Sequence, residues 1–314
     1  MQKSRRLFLA QCATLTAGAA VASPFATRKK ITGHFENFFS PRRKLTVYHT
    51  GDINGHINPL SANMGGLRNV KFALDAEKDQ GLVLDAGGFM SGTENSSRTT
   101  QLAMLMNSAG YKAAGLSEKE LAGGESALLQ FIDQANFPLV NCNHVFTAGL
   151  AHRVKAYHIL SSGGMRIGIT GVCRELKDYK YNDPLKSANE TAAYLKNKVK
   201  CDFVICLAHL GDMDSDQNLN NKTLAAGSEN IDMVIGGGNE TVRSNDYVFL
   251  NCAQREVIIS QPASHGLMLG KAVISFDNSR QRNGLDLYPI LPGNTLNYSS
   301  LTKIKQIKAG VTAV

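Results

Sequence analysis

Five short segments of this sequence are polar or glycine-rich loops whose side chains could do chemistry together. They are His49-Thr50-Gly51-Asp52-Ile53-Asn54-Gly55-His56, Asp85-Ala86-Gly87-Gly88, Ser117-Glu118-Lys119-Glu120, His209-Leu210-Gly211-Asp212 and Gly236-Gly237-Gly238-Asn239-Glu240-Thr241. Each follows a short apolar run, the place where a chain leaves a strand of an α/β sheet and where such sheets bind ligands. If the strands share a sheet, carboxylates, imidazoles, an ammonium and glycine-rich turns meet in one crevice. Singly, each segment has an ordinary role: Asp52 caps a turn, Gly88 permits a tight bend, and His209 is a satisfied core histidine. Their succession in this order is what argues for a site.

The elements that must position these loops alternate between β-branched runs and helical stretches. Strands are expected over 45–48, 82–84, 112–116, 139–140, 203–207 and 233–235, and helices over 67–78, 99–108, 126–134, 185–198 and 216–225. Residues 157–160 and 165–170, joined across Ser161-Ser162-Gly163-Gly164, read as a hairpin. Strands follow at 248–250, 257–260, 272–276 and 285–290, with an Asn283-Gly284 turn between the last two. Alternation followed by a β-rich end implies one α/β domain with mixed sheets in its core and helices outside.

With 43% hydrophobic and 19% charged residues, the 314-residue chain can bury a sizeable core. Its net charge of +8 is confined to the start. Up to Lys44 the basic residues are Lys3, Arg5, Arg6, Arg28, Lys29, Lys30, Arg42, Arg43 and Lys44, against Glu36 alone. The rest of the chain is balanced, which gives no electrostatic reason to expect nucleic acid. Ser4-Arg5-Arg6-Leu7-Phe8-Leu9, a weakly apolar run and Ala20-Val21-Ala22 read as a twin-arginine signal peptide over 1–26. A basic linker over 27–43, a folded domain over 44–292 and a tail over 293–314 complete the expected organisation. The apolar run is too short and too weak for a membrane span. The expected location is the periplasm or the exterior. Outside the signal, Cys142, Cys173, Cys201, Cys206 and Cys252 are expected as buried free thiols, with room for one disulfide in an oxidising compartment.

Residues 44–277 resemble the metallophosphatase domain of 5′-nucleotidases, within the calcineurin-like phosphoesterases. The resemblance is carried by Leu45-Thr46-Val47-Tyr48-His49-Thr50, Gly65-Gly66-Leu67-Arg68, Leu82-Val83-Leu84-Asp85-Ala86-Gly87, Met106-Asn107-Ser108-Ala109-Gly110-Tyr111, Phe137-Pro138-Leu139-Val140-Asn141-Cys142-Asn143 and Gly168-Ile169-Thr170-Gly171-Val172. It implies an α+β four-layer sandwich. It also implies hydrolysis of phosphoric esters by two metal ions held on Asp-x-His, Gly-Asp, Gly-Asn-His-Glu, Gly-His and Gly-His-x-His motifs. Here Asp52 stands at the first aspartate and His209 at the fourth-motif histidine. Asn54 replaces a ligand histidine, Gly88 the bridging aspartate, and Glu118 the ligand asparagine. Lys119 stands at the catalytic histidine, and Gly238 and Glu240 at the last two histidines, while Glu120 is retained.

Two dications about 4 Å apart repel by roughly 17 kcal/mol at an effective dielectric near 20, and a shared carboxylate normally offsets much of that. Gly88 offers none. The resemblance therefore predicts either no metal or one hard ion, Mg²⁺ or Ca²⁺ rather than Zn²⁺ or Mn²⁺, on Asp52, Asn54, Glu118, His209 and Glu240. A metal-free alternative sets the Lys119 ammonium among Asp52, Glu118 and Glu240. Two functions follow: an exported pseudo-phosphatase that binds a nucleotide, a phosphate ester or a separate exported protein, or a hydrolase with an altered mononuclear site. The nucleoside-gripping C-terminal domain of the family's larger members is not expected within these 314 residues. Asp212-Met213-Asp214-Ser215-Asp216 resembles the start of a calcium loop but lacks its glycine, having Gln217 instead, and reads as a helix N-cap. Gly236-Gly237-Gly238 lacks the spacing of a dinucleotide fingerprint.

Overall fold

The computed structural model describes residues 43–211, 219–238 and 245–293. The expected signal peptide, nearly all of the linker, the tail from 294, the acidic run at 212–216 and Glu240 lie outside the described residues. In chain order the elements are β1 (Lys44–Thr50), α1 (Leu67–Ala76), β2 (Leu82–Asp85), α2 (Ser96–Ser108), β3 (Tyr111–Ala114), α3 (Glu118–Ala122), α4 (Glu125–Gln134), β4 (Leu139–Val140), β5 (His144–Val145), α5 (Ala148–Ala151) and β6 (Val154–Lys155). Then come β7 (Tyr157–Ser162), β8 (Met165–Cys173), β9 (Lys180–Tyr181), α6 (Pro184–Asn197), β10 (Phe203–His209), α7 (Asn221–Gly227), β11 (Met233–Gly236), β12 (Asn245–Leu250), β13 (Glu256–Gln261), β14 (Leu269–Phe276) and β15 (Arg282–Ile290).

Two mixed sheets form the centre. One has the order β15-β14-β1-β2-β3-β4-β6 and the other β12-β13-β11-β10-β8-β7. Leu45, Val47, Leu84, Ile167, Ile205 and Ile235 pack between them. Period-2 alternation sends the other side chains outward: Tyr48 and Val83 meet Leu67 of α1 and Leu102 of α2. Val204 and Cys206 meet Ala192 of α6 and Leu224 of α7 on the opposite side. With both faces of each sheet covered, the inner strands read as continuous apolar runs rather than alternating ones. The result is a four-layer α/β/β/α sandwich, as expected from the sequence.

The structure corrects three local expectations. Asn283 and Gly284 lie inside β15, beside a register shift, and are not a turn. The turn sits at Asp277, whose carboxylate accepts from Ser279 Oγ at 2.7 Å and the Gln281 amide at 2.9 Å. That side-chain cap outcompetes the Asn-Gly signal. Ser117-Glu118-Lys119-Glu120 is the cap and first turn of α3 rather than a loop. The described part of the helix expected from 216 begins at Asn221, after an Asn220–Thr223 capping box.

Candidate functional site

The described parts of the five segments leave two sheets, not one, and still converge. Past β1 the chain runs beside the turn after β2: the amides of Asp52, Asn54 and Gly55 donate to the carbonyls of Gly87, Gly88 and Phe89 at 2.9, 2.8 and 2.9 Å. Asp52 holds a left-handed backbone (φ 54°), which aspartate tolerates better than most residues. Its carbonyl accepts the His265 amide at 2.7 Å. From the other sheet His209, the last residue of β10, meets it. His209 Nε2 lies 2.9 Å from Asp52 Oδ1, and the Gly238 amide donates to Asp52 Oδ2 at 2.8 Å.

Both side chains are nearly inaccessible, at 4% for Asp52 and 3% for His209. Burial opposes ionisation of each, but their mutual attraction prevails. The His209 charge and hydrogen bond, with the Gly238 amide and Lys119, hold the Asp52 carboxyl below its ordinary value. Asp52, with Glu118 and Glu120 farther off, holds the His209 imidazole above its own. Gly88 makes the contact possible. A Cβ there would lie 2.8 Å from Asp52 Oδ1 and 2.9 Å from His209 Nε2, on a backbone with φ +72°. Gly238 is equally constrained, since a Cβ would come within 2.8 Å of the Gly211 amide.

The remaining sequence-selected residues are placed as follows. Lys119 Nζ turns into the crevice and donates to Asn54 Oδ1 at 2.7 Å. That fixes the Asn54 amide, whose nitrogen sits 3.2 Å from His265 Nε2. His265 therefore accepts at Nε2 and turns Nδ1–H toward Ser264 Oγ at 3.1 Å. Glu118 stays 57% exposed, with Oε2 3.9 Å from His209 Nδ1. The Glu120 carboxylate accepts from the Ser117 amide and hydroxyl, both at 2.7 Å, and from the Met90 and Gly88 amides at 3.0 and 3.2 Å. It ties the start of α3 to the turn after β2. Burial still raises its pKa above the ordinary range, against those bonds.

Several residues of these segments were named in the sequence without a role of their own. Asp85 is fully buried and accepts from Thr50 Oγ1 at 2.6 Å and the Gly87 amide at 2.8 Å. Thr50 has one proton to give, so the Tyr111 hydroxyl, 2.7 Å away, donates to Thr50. Burial pushes the Asp85 carboxyl up to about 7, helped by the charges of Glu120 and Asp52. His56 packs edge-on against His265 at 4.5 Å between ring centroids. Burial, then the charges of Arg98 and Lys119, lower its pKa. Arg98 is held there by a 2.9 Å bond to the Gly55 carbonyl. His49 is engaged elsewhere, 2.6 Å from Ser260 Oγ, which donates to Asp246 at 2.6 Å.

Near the ends of β4 and β8, Cys173 Sγ lies 3.8 Å from His144 Nδ1 and accepts from Asn141 at 3.2 Å. Burial pushes the thiol far up and lowers the imidazole to about 4, so neither an activated thiolate nor its imidazolium partner forms. All five cysteines among the described residues are free.

Comparison with known proteins agrees with this architecture. No family model matches the chain. It is 25% identical over 311 residues to the trifunctional nucleotide phosphoesterase YfkN of Bacillus subtilis, a match covering 84% of this chain and 20% of that protein. It is 24% identical over 290 residues to the 5′-nucleotidase of Vibrio cholerae, covering 80% of this chain and 52% of the relative. The chain thus spans between a fifth and about half of these relatives' length. The solved 5′-nucleotidase precursor of Thermus thermophilus superposes with a TM-score of 0.70 at 21% identity, over 86% of this chain and 59% of that one. For the calcineurin-like phosphoesterase YfkN structure the TM-score is 0.63 at 19% identity, over 86% and 98%. The fold is that of the 5′-nucleotidase-type metallophosphatases.

A metallophosphatase fold implies a metal centre, and among the described residues, which do not include Glu240, the donors do not assemble one. Asp52 commits one oxygen to His209 and the other to the Gly238 amide. Asn54 gives its oxygen to Lys119, and Glu120 is saturated by hydrogen-bond donors. Gly88 and Gly238 have no side chain to offer. Among the described residues no three His, Cys, Asp or Glu side chains gather as a metal cluster. His209 Nδ1 is buried without a hydrogen-bond partner, and the exposed Glu118 carboxylate lies 3.9 Å from it.

Proposed function

We propose that this chain is an exported pseudo-phosphatase: a 5′-nucleotidase-type metallophosphatase fold that binds a nucleotide or phosphate ester, or a separate exported protein, without hydrolysing it. One observation carries the reading. The Asp52–His209 pair closes at 2.9 Å over Gly88, where the fold's bridging carboxylate would stand. The Asp52 carboxylate raises the His209 imidazole above its ordinary pKa, which favours internally the positive charge that a metal would bring. Export rests on the Arg5-Arg6 segment and the small residues at Ala20-Val21-Ala22.

The competing reading, a phosphoric ester hydrolase with an altered site holding one Mg²⁺ or Ca²⁺, is favoured by the named activities of the relatives, which include the V. cholerae 5′-nucleotidase. Elemental analysis of the purified chain, combined with AMP and p-nitrophenyl phosphate assays, decides between them. The pseudo-phosphatase reading expects substoichiometric metal and no turnover above buffer. Stoichiometric metal with turnover that Asp52→Asn abolishes would establish the hydrolase.

A further inference from the structure

The two helices that cover the first sheet, α1 and α2, pack side by side through Leu67, Val70, Leu102 and Met106. Their solvent side is poor in charge. α1 exposes Arg68, Phe72, Asp75 and Ala76, and α2 exposes Ser97, Gln101, Met104 and Ser108. The α2 stripe, at positions i, i+4, i+7 and i+11, carries no charged side chain. Phe72 is 73% exposed and Met104 60%. A helix face left to water is ordinarily charged and polar. Depletion of charge together with phenylalanine, methionine and arginine marks the centre of a protein–protein contact instead.

The relief of this face is complementary to itself. Phe72 is the crest of the row Arg68, Phe72, Ala76, spaced by four along α1. Phe72 also borders a groove of about 560 Å³ lined by Ala73, Ala76, Leu291 and Pro292. A second groove of about 500 Å³, lined by Arg68, Thr100 and Met104, runs between α1 and α2. A twofold contact needs a knob beside a hole on one surface, since each copy supplies both. Charge points the same way. Arg68 and Asp75 are seven residues apart, two turns or about 10 Å along the helix, with Phe72 between them. When two α1 helices meet antiparallel at Phe72, Arg68 of each copy faces Asp75 of the other. Asp75 already holds Lys71 at 2.5 Å and remains 56% exposed, so its carboxylate, with about four acceptor sites, keeps room for a guanidinium. Arg68 is steadied by its Nε bond to Asn58 Oδ1 at 3.1 Å.

We propose that the α1–α2 face is the interface of a homodimer. α1 packs antiparallel on α1 of a second copy, and Phe72 of each enters the other's groove over Ala73 and Ala76. The contact is independent of whether the crevice hydrolyses anything. It lies close to the crevice all the same, because Arg98 in the first turn of α2 donates to the Gly55 carbonyl at 2.9 Å.

The test is sedimentation velocity of the full chain across the micromolar range. A monomer–dimer equilibrium that shifts with concentration is expected. Phe72→Glu should weaken it by about thirtyfold or more, the scale of one hot-spot residue. Arg68→Asp should also weaken it, and the double variant Arg68→Asp/Asp75→Arg should recover it, because the swap rebuilds both ion pairs across the twofold. All of these positions are exposed, and unchanged melting temperatures confirm that the variants are folded. A chain that stays monomeric throughout would overturn the proposal. So would a dimer indifferent to Phe72→Glu, or a double variant no tighter than Arg68→Asp alone. A monomer whose melting temperature falls in Phe72→Glu would show that the chain covers this face with its own residues, and would overturn it equally.

Discussion

His209 Nε2 and Asp52 Oδ1 lie 2.9 Å apart, one at the end of a strand in each central sheet's parallel core and the other just past one, both screened from water. A buried pair of this kind is costly to break from one side, because the surviving charge keeps its desolvation penalty. Asp52→Ala should therefore lose about 3–5 kcal/mol of stability. The double variant Asp52→Asn/His209→Gln, which leaves no orphan charge, should lose less than the two single changes summed. Urea unfolding of wild type, Asp52→Asn, His209→Gln and the double variant measures the difference, and additive losses would show that the two groups do not interact.

The same pair sets a pH window. The Asp52 carboxyl is depressed in the fold, so its contribution is present above its unfolded value of 3.8 and disappears as pH falls through the folded one. His209 is raised, so its contribution is complete below its unfolded value of 6.5 and fades as pH climbs through the folded one. The stability gap between wild type and the double variant should be widest between these limits and narrow on both sides. Melting curves from pH 3 to 9 would reveal it.

Asp85 pulls the other way. Its folded value of about 7, against 3.8 unfolded, means that folding takes up a proton. This residue alone should cost the wild type stability as pH rises from about 4 to 7, by an amount on the order of 4 kcal/mol, and nothing further above that. Asp85→Asn should flatten that slope. An unchanged slope in the variant would place the titration elsewhere.

Gly88 is constrained by conformation and by space. Gly88→Ala should destabilise by about 2–4 kcal/mol, from a left-handed backbone and from crowding the pair above it. For a domain of this size that lowers the melting temperature by roughly 5–15 °C. Gly88→Asp restores a carboxylate at the bridging position, yet should gain no thermal stabilisation from Mn²⁺ or Mg²⁺. A clear metal-induced rise in its melting temperature would mean the remaining donors still form a competent cage.

Much of the fold was legible because the inner strands are buried on both faces and announce themselves as β-branched runs, as at Phe203–His209. The exceptions are local. The Asn283-Gly284 dipeptide carries a strong turn signal, and the side chain of Asp277 takes the turn a few residues earlier. At the site, the order of the five segments suggested that they meet, but not the pairings within them. Asp52 and His209 are 157 positions apart, and nothing in either neighbourhood announces that one will bond the other. Glu120 illustrates the opposite case. Ser117-x-x-Glu120 is a capping box written in the sequence, and the structure uses it as one. Asp85 was named among the segments but given no role, because its full burial is invisible in a strand ending Leu84-Asp85.

The three rungs by which Asp52, Asn54 and Gly55 hang from Gly87, Gly88 and Phe89 join two consecutive crossovers into one ribbon. Asp52 then rivets that ribbon to the second sheet through Gly238 and His209. The crevice floor is thus a single cooperative unit. Its amide protons should exchange with solvent together or not at all, and a molecule leaning on either wall would be felt by both halves of the sandwich.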